Sequence, residues 1–156
     1  MKKKYPVKIA SAISIVAIIV SVFSMFAPAF DEDAGSVRGS FFDIMWGLQS
    51  DAYQVSIVLT VGFCLLLLAF VVACFGLSLT DKGTRLFGIA LLLLAVAGGT
   101  ICLFSIPLYV GANAEVIGNI ENTGVTSLGA GSIVPAVFAY IAALPGLYLL
   151  LKKKEA

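Results

Sequence analysis

Four long runs of apolar residues, none containing a charged side chain, constrain this sequence more than any other feature. Crossing a hydrocarbon core of about 30 Å takes about 20 helical residues, and each run approaches or exceeds that length. The runs are continuous and do not alternate in polarity, which favours helices over a membrane β-barrel. They extend from Ile9 to Phe26, Val55 to Leu79, Leu86 to Val110 and Ile133 to Leu151.

The sequence therefore predicts an all-α membrane protein, a four-transmembrane-helix bundle that forms a single membrane domain over residues 1–156. Composition supports this prediction: 60% of the residues are apolar and 12% are charged, against about 45–50% and about 25% in soluble domains. The mean hydropathy is +1.06. We place the spans at approximately 9–28, 53–79, 86–110 and 133–151, with outer loops at 29–52 and 111–132.

Basic residues predict the orientation of the bundle. Arg38 is the one basic residue in the two outer loops. Because basic residues are retained on the cytoplasmic side, both termini are predicted to be cytoplasmic in a multi-pass protein of the cell membrane. The other nine basic residues lie at the two termini and in the link between spans two and three: Lys2, Lys3, Lys4, Lys8, Lys82, Arg85, Lys152, Lys153 and Lys154.

The first run also resembles a signal peptide. A basic start precedes the apolar stretch, and Ala27-Pro28-Ala29 follows the small-x-small cleavage pattern. Cleavage after Ala29 would leave three spans. The apolar stretch has 18 residues, longer than the usual 7–15 of a signal peptide, so we expect the first span to be retained.

The first outer loop carries an acidic cluster, Asp31-Glu32-Asp33. Carboxylates are ligands for hard cations, but the spaced, glycine-containing calcium loop is absent from the sequence. A solvated linker is the favoured interpretation, with cation binding as the open alternative.

An aromatic segment follows in the same loop. Phe41, Ile44, Met45 and Leu48 have the spacing of an amphipathic helix, which predicts a short helix on the membrane surface or over the end of the bundle. A partner-docking patch is the alternative. That candidate patch comprises Phe41, Phe42, Ile44, Met45, Trp46 and Leu48.

Trp46-Gly47-Leu48, in the first outer loop of a four-span chain, resembles the corresponding loop of claudin-like proteins. The loop is shorter than theirs and lacks their cysteine pair. The resemblance covers these three residues and the predicted number of spans.

Small residues predict where the helices pack against each other, because close packing drives association between membrane helices. Pro107 and Pro145 are expected to kink or end their helices, and paired broken helices can also mark a transport site. The predicted packing seams contain Ala69, Ala73, Gly76, Ala95, Gly99, Ala139 and Ala143.

The sequence lacks residues that several kinds of catalysis, metal binding and proton transfer need. The chain has no histidine, and its three cysteines, Cys64, Cys74 and Cys102, are far apart in the sequence. The runs carry no ionisable residue of the kind that proton relays and voltage sensors use. We therefore expect no catalytic residue, cofactor, metal site or nucleic-acid partner. An outer-surface enzyme using Asp43, Asp51 and Glu115 ranks third among the hypotheses.

The leading hypothesis is a structural or accessory membrane protein, a subunit of or partner to a larger membrane assembly. Its expected surroundings are the lipid bilayer, with a membrane-protein partner or a second copy of the chain. The alternative is an oligomeric channel or carrier for a neutral or apolar small molecule. The hydroxyl groups of Ser78, Thr100 and Ser105 motivate that alternative.

Overall fold

A computed structural model describes residues 5–30, 39–48, 54–79, 84–118 and 127–151. The described part of the chain is all-helical, with 82% of it in helices and no strand, so the all-α prediction is confirmed. Its helices are α1 (Tyr5–Ser24), α2 (Phe41–Trp46), α3 (Ile57–Gly76), α4 (Thr84–Leu103), α5 (Ser105–Ala112), α6 (Ala114–Ile117) and α7 (Ala130–Leu151).

Four of these helices, α1, α3, α4 and α7, are long and apolar enough to cross a membrane. They correspond to the four predicted spans, although the third span is divided. The helix α4 ends at Leu103 and α5 begins after Phe104. Pro107 has no N–H to donate to the carbonyl of Leu103, so one helical hydrogen bond is missing at this break. By contrast, α7 continues through both Pro135 and Pro145.

The four long helices form a ring in which each contacts two neighbours. The helix α1 packs against α3 and α7, and α4 packs against the same two helices on the other side. Close contacts join Gly88 to Gly146 and Gly99 to Ala139, which shows that α4 and α7 run in opposite directions. Antiparallel neighbours of this kind are typical of a helical bundle.

Small residues lie where the helices meet. A Cβ atom on Gly88 would lie 2.8 Å from the carbonyl oxygen of Gly146, and one on Gly146 would lie 2.7 Å from that of Gly88. The outward faces carry large side chains instead, such as Leu68, Leu93 and Leu144. All seven residues of the predicted packing seams are buried: Ala69, Ala73, Gly76, Ala95, Gly99, Ala139 and Ala143.

Hydrogen bonds from two buried serines join α1 to α7. Ser14 donates to the carbonyl of Ala142 and Ser21 donates to the carbonyl of Pro135, each at 2.8 Å. The donors and the acceptors are both seven residues apart, so one antiparallel register satisfies both serines. These bonds satisfy hydroxyl groups that would otherwise be buried without a partner.

Candidate functional site at the capped end of the bundle

The N-terminus of α7 is capped by the chain segment that follows α1. Gly131 N–H donates to the carbonyl of Pro28 at 2.7 Å, and Gly129 N–H donates to that of Ala29 at 2.8 Å. A Cβ atom on Gly129 would lie 2.5 Å from the Pro28 carbonyl oxygen. Backbone amides at a helix start have no partner within the helix, and lipid offers none. The residues of the possible cleavage pattern are thus part of the packed end of the bundle.

A chain of hydroxyl groups reinforces this cap. Ser105 donates to the hydroxyl of Ser132 at 2.9 Å, and Ser132 donates to the carbonyl of Ala29 at 2.9 Å. Both serines are buried. The break between α4 and α5 is thereby tied to the start of α7 and to the end of the α1 segment.

The predicted amphipathic helix is present as α2, and Ser40 and Asp43 form its N-terminal cap. The Ser40 N–H donates to the Asp43 carboxylate at 2.8 Å, and the Asp43 N–H donates to the Ser40 hydroxyl at 3.2 Å. This reciprocal pairing is a capping box. The Asp43 carboxylate, one of three acids considered for an enzyme site, therefore has a structural partner.

The structure divides the candidate docking patch. Phe41, Ile44 and Met45 are fully buried in the core, whereas Trp46 is 42% exposed and Leu48 is 69% exposed. Leu48 leaves the buried stripe because Gly47 adopts a left-handed conformation, φ 65°, and ends α2. Phe42 is partly buried. A docking surface on α2 is therefore limited to Phe42, Trp46 and Leu48.

Phenylalanine rings form a row across the outside of this end. The ring centroids of Phe26 and Phe42 are 4.7 Å apart, and those of Phe42 and Phe63 are 5.2 Å apart in an edge-on arrangement. Phe23 extends the row beyond Phe26 with a centroid distance of 6.5 Å. The row joins α1, α2 and α3.

Asn113, between α5 and α6, is hydrogen-bonded to the chain segment just before α3. Its side-chain oxygen accepts a hydrogen bond from the Gln54 N–H at 2.6 Å, and its side-chain nitrogen donates to the carbonyl of Tyr109 at 3.0 Å. Asn113 is buried. No sequence signal identifies this residue, because it stands in a connection rich in glycine and polar residues, where one buried amide has no distinguishing pattern.

The hydroxyl residues considered for transport and the acids considered for metal binding or catalysis lie on different elements of the described structure or outside it. Thr100 donates to the Val96 carbonyl at 2.8 Å and lies 3.1 Å from the Tyr140 hydroxyl, whereas Ser78 is exposed. Glu115 is exposed on α6. No group of three or more metal-binding side chains occurs within the described ranges. The candidate acids Asp31, Glu32, Asp33 and Asp51 lie outside those ranges.

Comparison with known proteins assigns no family to the chain. No protein-family model matches it, and neither a search of curated proteins nor a search of solved structures found a match. The resemblance to claudin-like proteins therefore extends no further than Trp46-Gly47-Leu48 and the four spans.

Proposed function

We propose that the chain is a structural or accessory subunit of a larger assembly in the cytoplasmic membrane. The observation that carries this proposal is the use of interior hydroxyl groups as internal ties. Ser14, Ser21, Ser105 and Ser132 are buried, and each donates its hydrogen bond to another group of the same chain. Among the described residues, two further buried serines, Ser11 and Ser56, have hydroxyls without a hydrogen-bond partner. A polar pathway for a solute needs polar side chains that are free to form hydrogen bonds with that solute. The helices of a scaffold need polar side chains whose hydrogen bonds are made within the protein.

The absence of charge from the four apolar runs supports the same proposal. Ionisable residues inside spans commonly serve proton relays, ion-coupled carriers and voltage sensors. No Asp, Glu, Lys, Arg or His occurs between Ile9 and Phe26, or in the other three runs. The described cysteines are free, with Cys102 buried and Cys64 and Cys74 exposed.

The proposed orientation rests on the distribution of basic residues. Lys8 at the start of α1 and Arg85 at the start of α4 are both exposed, and they belong to the nine basic residues that flank one side of the spans. With Arg38 as the single exception on the other side, the positive-inside rule favours cytoplasmic termini.

An oligomeric channel or carrier for a neutral molecule is the second candidate, and its support is weaker. Of the three hydroxyls that motivate it, Ser105 is bonded to Ser132 and Thr100 to Val96. A pore between copies would be lined by outward faces, which carry large aliphatic side chains such as Leu93. Liposomes containing the purified chain should therefore show no flux of small neutral solutes above protein-free liposomes.

Affinity purification in mild detergent tests the accessory role. The full chain, tagged at its C-terminus and expressed in its native cells, should recover one membrane protein in stoichiometric amount. A tagged four-span protein of unrelated sequence, purified in parallel, identifies nonspecific membrane contaminants. Recovery of the chain alone, with solute flux in the liposome assay, would overturn the accessory role in favour of the channel.

A further inference from the structure

The two sides of α2 face different surroundings. Phe41, Ile44 and Met45 are buried in the core, whereas Phe42 and Trp46, four residues apart, share the opposite side of the helix. The polar residues Ser40 and Asp43 bond to each other at the helix start. The outward side of α2 is therefore aromatic. The nearby Asp43 carboxylate is already hydrogen-bonded to Ser40.

The contacts between α2 and α3 show where α2 lies along the length of the bundle. The carbonyl of Met45 accepts a hydrogen bond from the Ser56 N–H, immediately before α3 begins. The ring of Phe42 contacts that of Phe63 in the second turn of α3. At 1.5 Å per residue, Phe63 lies about 9 Å along α3 from Ile57. The helix α2 therefore lies beside the end of a candidate span and does not project beyond it.

The outward side of α2 is continuous with the apolar outer surfaces of α1 and α3. Phe23 and Phe26 are largely exposed and connect through Phe42 to Phe63. Val58 and Val61 are exposed on the same part of α3. Apolar helices of this kind contact the lipid bilayer, and the aromatic row continues that surface without interruption.

We infer that α2 is an interfacial helix whose Phe42 and Trp46 side chains contact lipid at the headgroup boundary. Aromatic side chains favour this depth because one part of the ring system is apolar and the indole N–H can reach water. Lipid fits the row better than a protein helix does, because seams between membrane helices are built from small residues. The buried seams of this bundle follow that pattern, whereas the row consists of large rings.

Tryptophan fluorescence tests this inference directly, because Trp46 is the only tryptophan of the chain. The full chain is reconstituted in phosphatidylcholine vesicles in which bromine atoms are placed either near the headgroup or near the end of the acyl chain. Emission should be shifted to shorter wavelength than that of tryptophan in water. The shallow bromines should quench it more strongly than the deep ones.

The control moves the tryptophan to the middle of a span. Leu93 is 62% exposed near the centre of α4. In the double variant Trp46→Phe, Leu93→Trp, the deep bromines should quench more strongly than the shallow ones. Loss of quenching in this control would overturn membrane insertion itself, on which the inference rests. The accessory role is separate, since failure to recover a partner would leave the position of Trp46 unchanged.

Three results for the unsubstituted chain would overturn an interfacial α2. Water-like emission with strong acrylamide quenching would place Trp46 in solvent. Resistance to acrylamide and to both brominated lipids would place it under protein, a second copy included. Stronger quenching by the deep bromines would place it within the hydrocarbon core.

Discussion

At Gly88 and Gly146 the backbones of α4 and α7 approach so closely that either Cβ atom would collide with the other residue's carbonyl oxygen. Lipid chains are as apolar as leucine side chains, so burial alone gives two membrane helices little reason to associate. Close backbone contact increases the dispersion attraction between them. Glycine permits that contact because it carries no side chain.

Alanine at Gly88 tests the importance of this contact. We expect Gly88→Ala to destabilise the bundle by about 1–3 kcal/mol, the usual cost of overpacking, because the obstructing atom belongs to the backbone of α7. Unfolding in mixed micelles, followed by circular dichroism, measures the change.

Gly111→Ala is the matched control. Gly111 is also helical, but a Cβ atom there would meet nothing within 4 Å. This variant should be as stable as the parent or slightly more stable, because alanine favours helices. Equal destabilisation by both variants would mean that close packing between α4 and α7 is not the cause.

Ser14 and Ser24 offer a comparison between two kinds of serine hydrogen bond. Ser14 donates to α7, whereas Ser24 donates to the carbonyl of Ser21 within α1. Ser14→Ala should cost about 0.6 kcal/mol, the average for hydrogen bonds between membrane helices. Ser24→Ala should cost less, because it removes no hydrogen bond between helices. Unfolding titrations with sodium dodecyl sulfate compare the variants, and a larger loss for Ser24→Ala would contradict this assignment.

Residue patterns in the sequence predicted packing seams of small residues, but not the partner of each residue. Ala139 is one of several small residues on its helix, and nothing in its spacing distinguishes α4 from α1 or α3 as its neighbour. The sequence pattern gives no signal at Gly88, since one glycine near the end of a span forms no repeating stripe. Asn113 was missed because its role depends on Gln54, which is distant in the sequence.

At the scale of elements, α2 shows how much of a helix a local sequence pattern can predict. Helical spacing placed Phe41, Ile44 and Met45 on one apolar stripe, which is buried in the structure, and the capping residues Ser40 and Asp43 define where that helix starts. The same spacing assigned Leu48 to the stripe. The left-handed Gly47 ends the helix first, so a backbone conformation outweighs the side-chain pattern.

We expect the stability of α2 to depend on its capping box, and a substitution at Ser40 tests this dependence. Ser40→Ala removes the hydroxyl that accepts from the Asp43 N–H, and loss of an N-cap typically costs about 1 kcal/mol. A helix of six residues depends strongly on such a cap. We expect faster amide hydrogen exchange over residues 39–48, measured by mass spectrometry.

Ser78→Ala, at the far end of α3, serves as the control for that measurement. Ser78 is exposed and lies outside α2. Its replacement should leave exchange over residues 39–48 unchanged. Unchanged exchange in Ser40→Ala as well would show that the core contacts of Phe41, Ile44 and Met45 hold α2 without the cap.

At the scale of the whole molecule, α1 is integrated into the bundle. Ile18 and Ser21 are fully buried, and the carbonyls of Pro28 and Ala29 bind the start of α7. Removal of the chain up to Ala29 would expose the faces of α3 and α7 that pack against α1. We therefore expect α1 to remain part of the folded protein, in agreement with the length of its apolar run.

The number and type of the spans could be predicted because length and hydropathy are local properties. The ring order of the helices could not, because it depends on the fit between distant surfaces. The cap over α7 likewise depends on residues about a hundred positions apart, Pro28 and Gly131. Charge asymmetry predicts the orientation, which contacts between helices leave undetermined.

Labelling with a membrane-impermeant maleimide tests the central claim, four crossings with both termini in the cytoplasm. Single cysteines replace Lys3, Arg38, Glu115 or Lys153. The unsubstituted chain is the blank, because its own three cysteines lie within α3 and α4. Arg38→Cys and Glu115→Cys should be labelled in right-side-out vesicles, and Lys3→Cys and Lys153→Cys only in inside-out vesicles. Labelling of the two termini from opposite faces, or of both from the outside, would contradict the account.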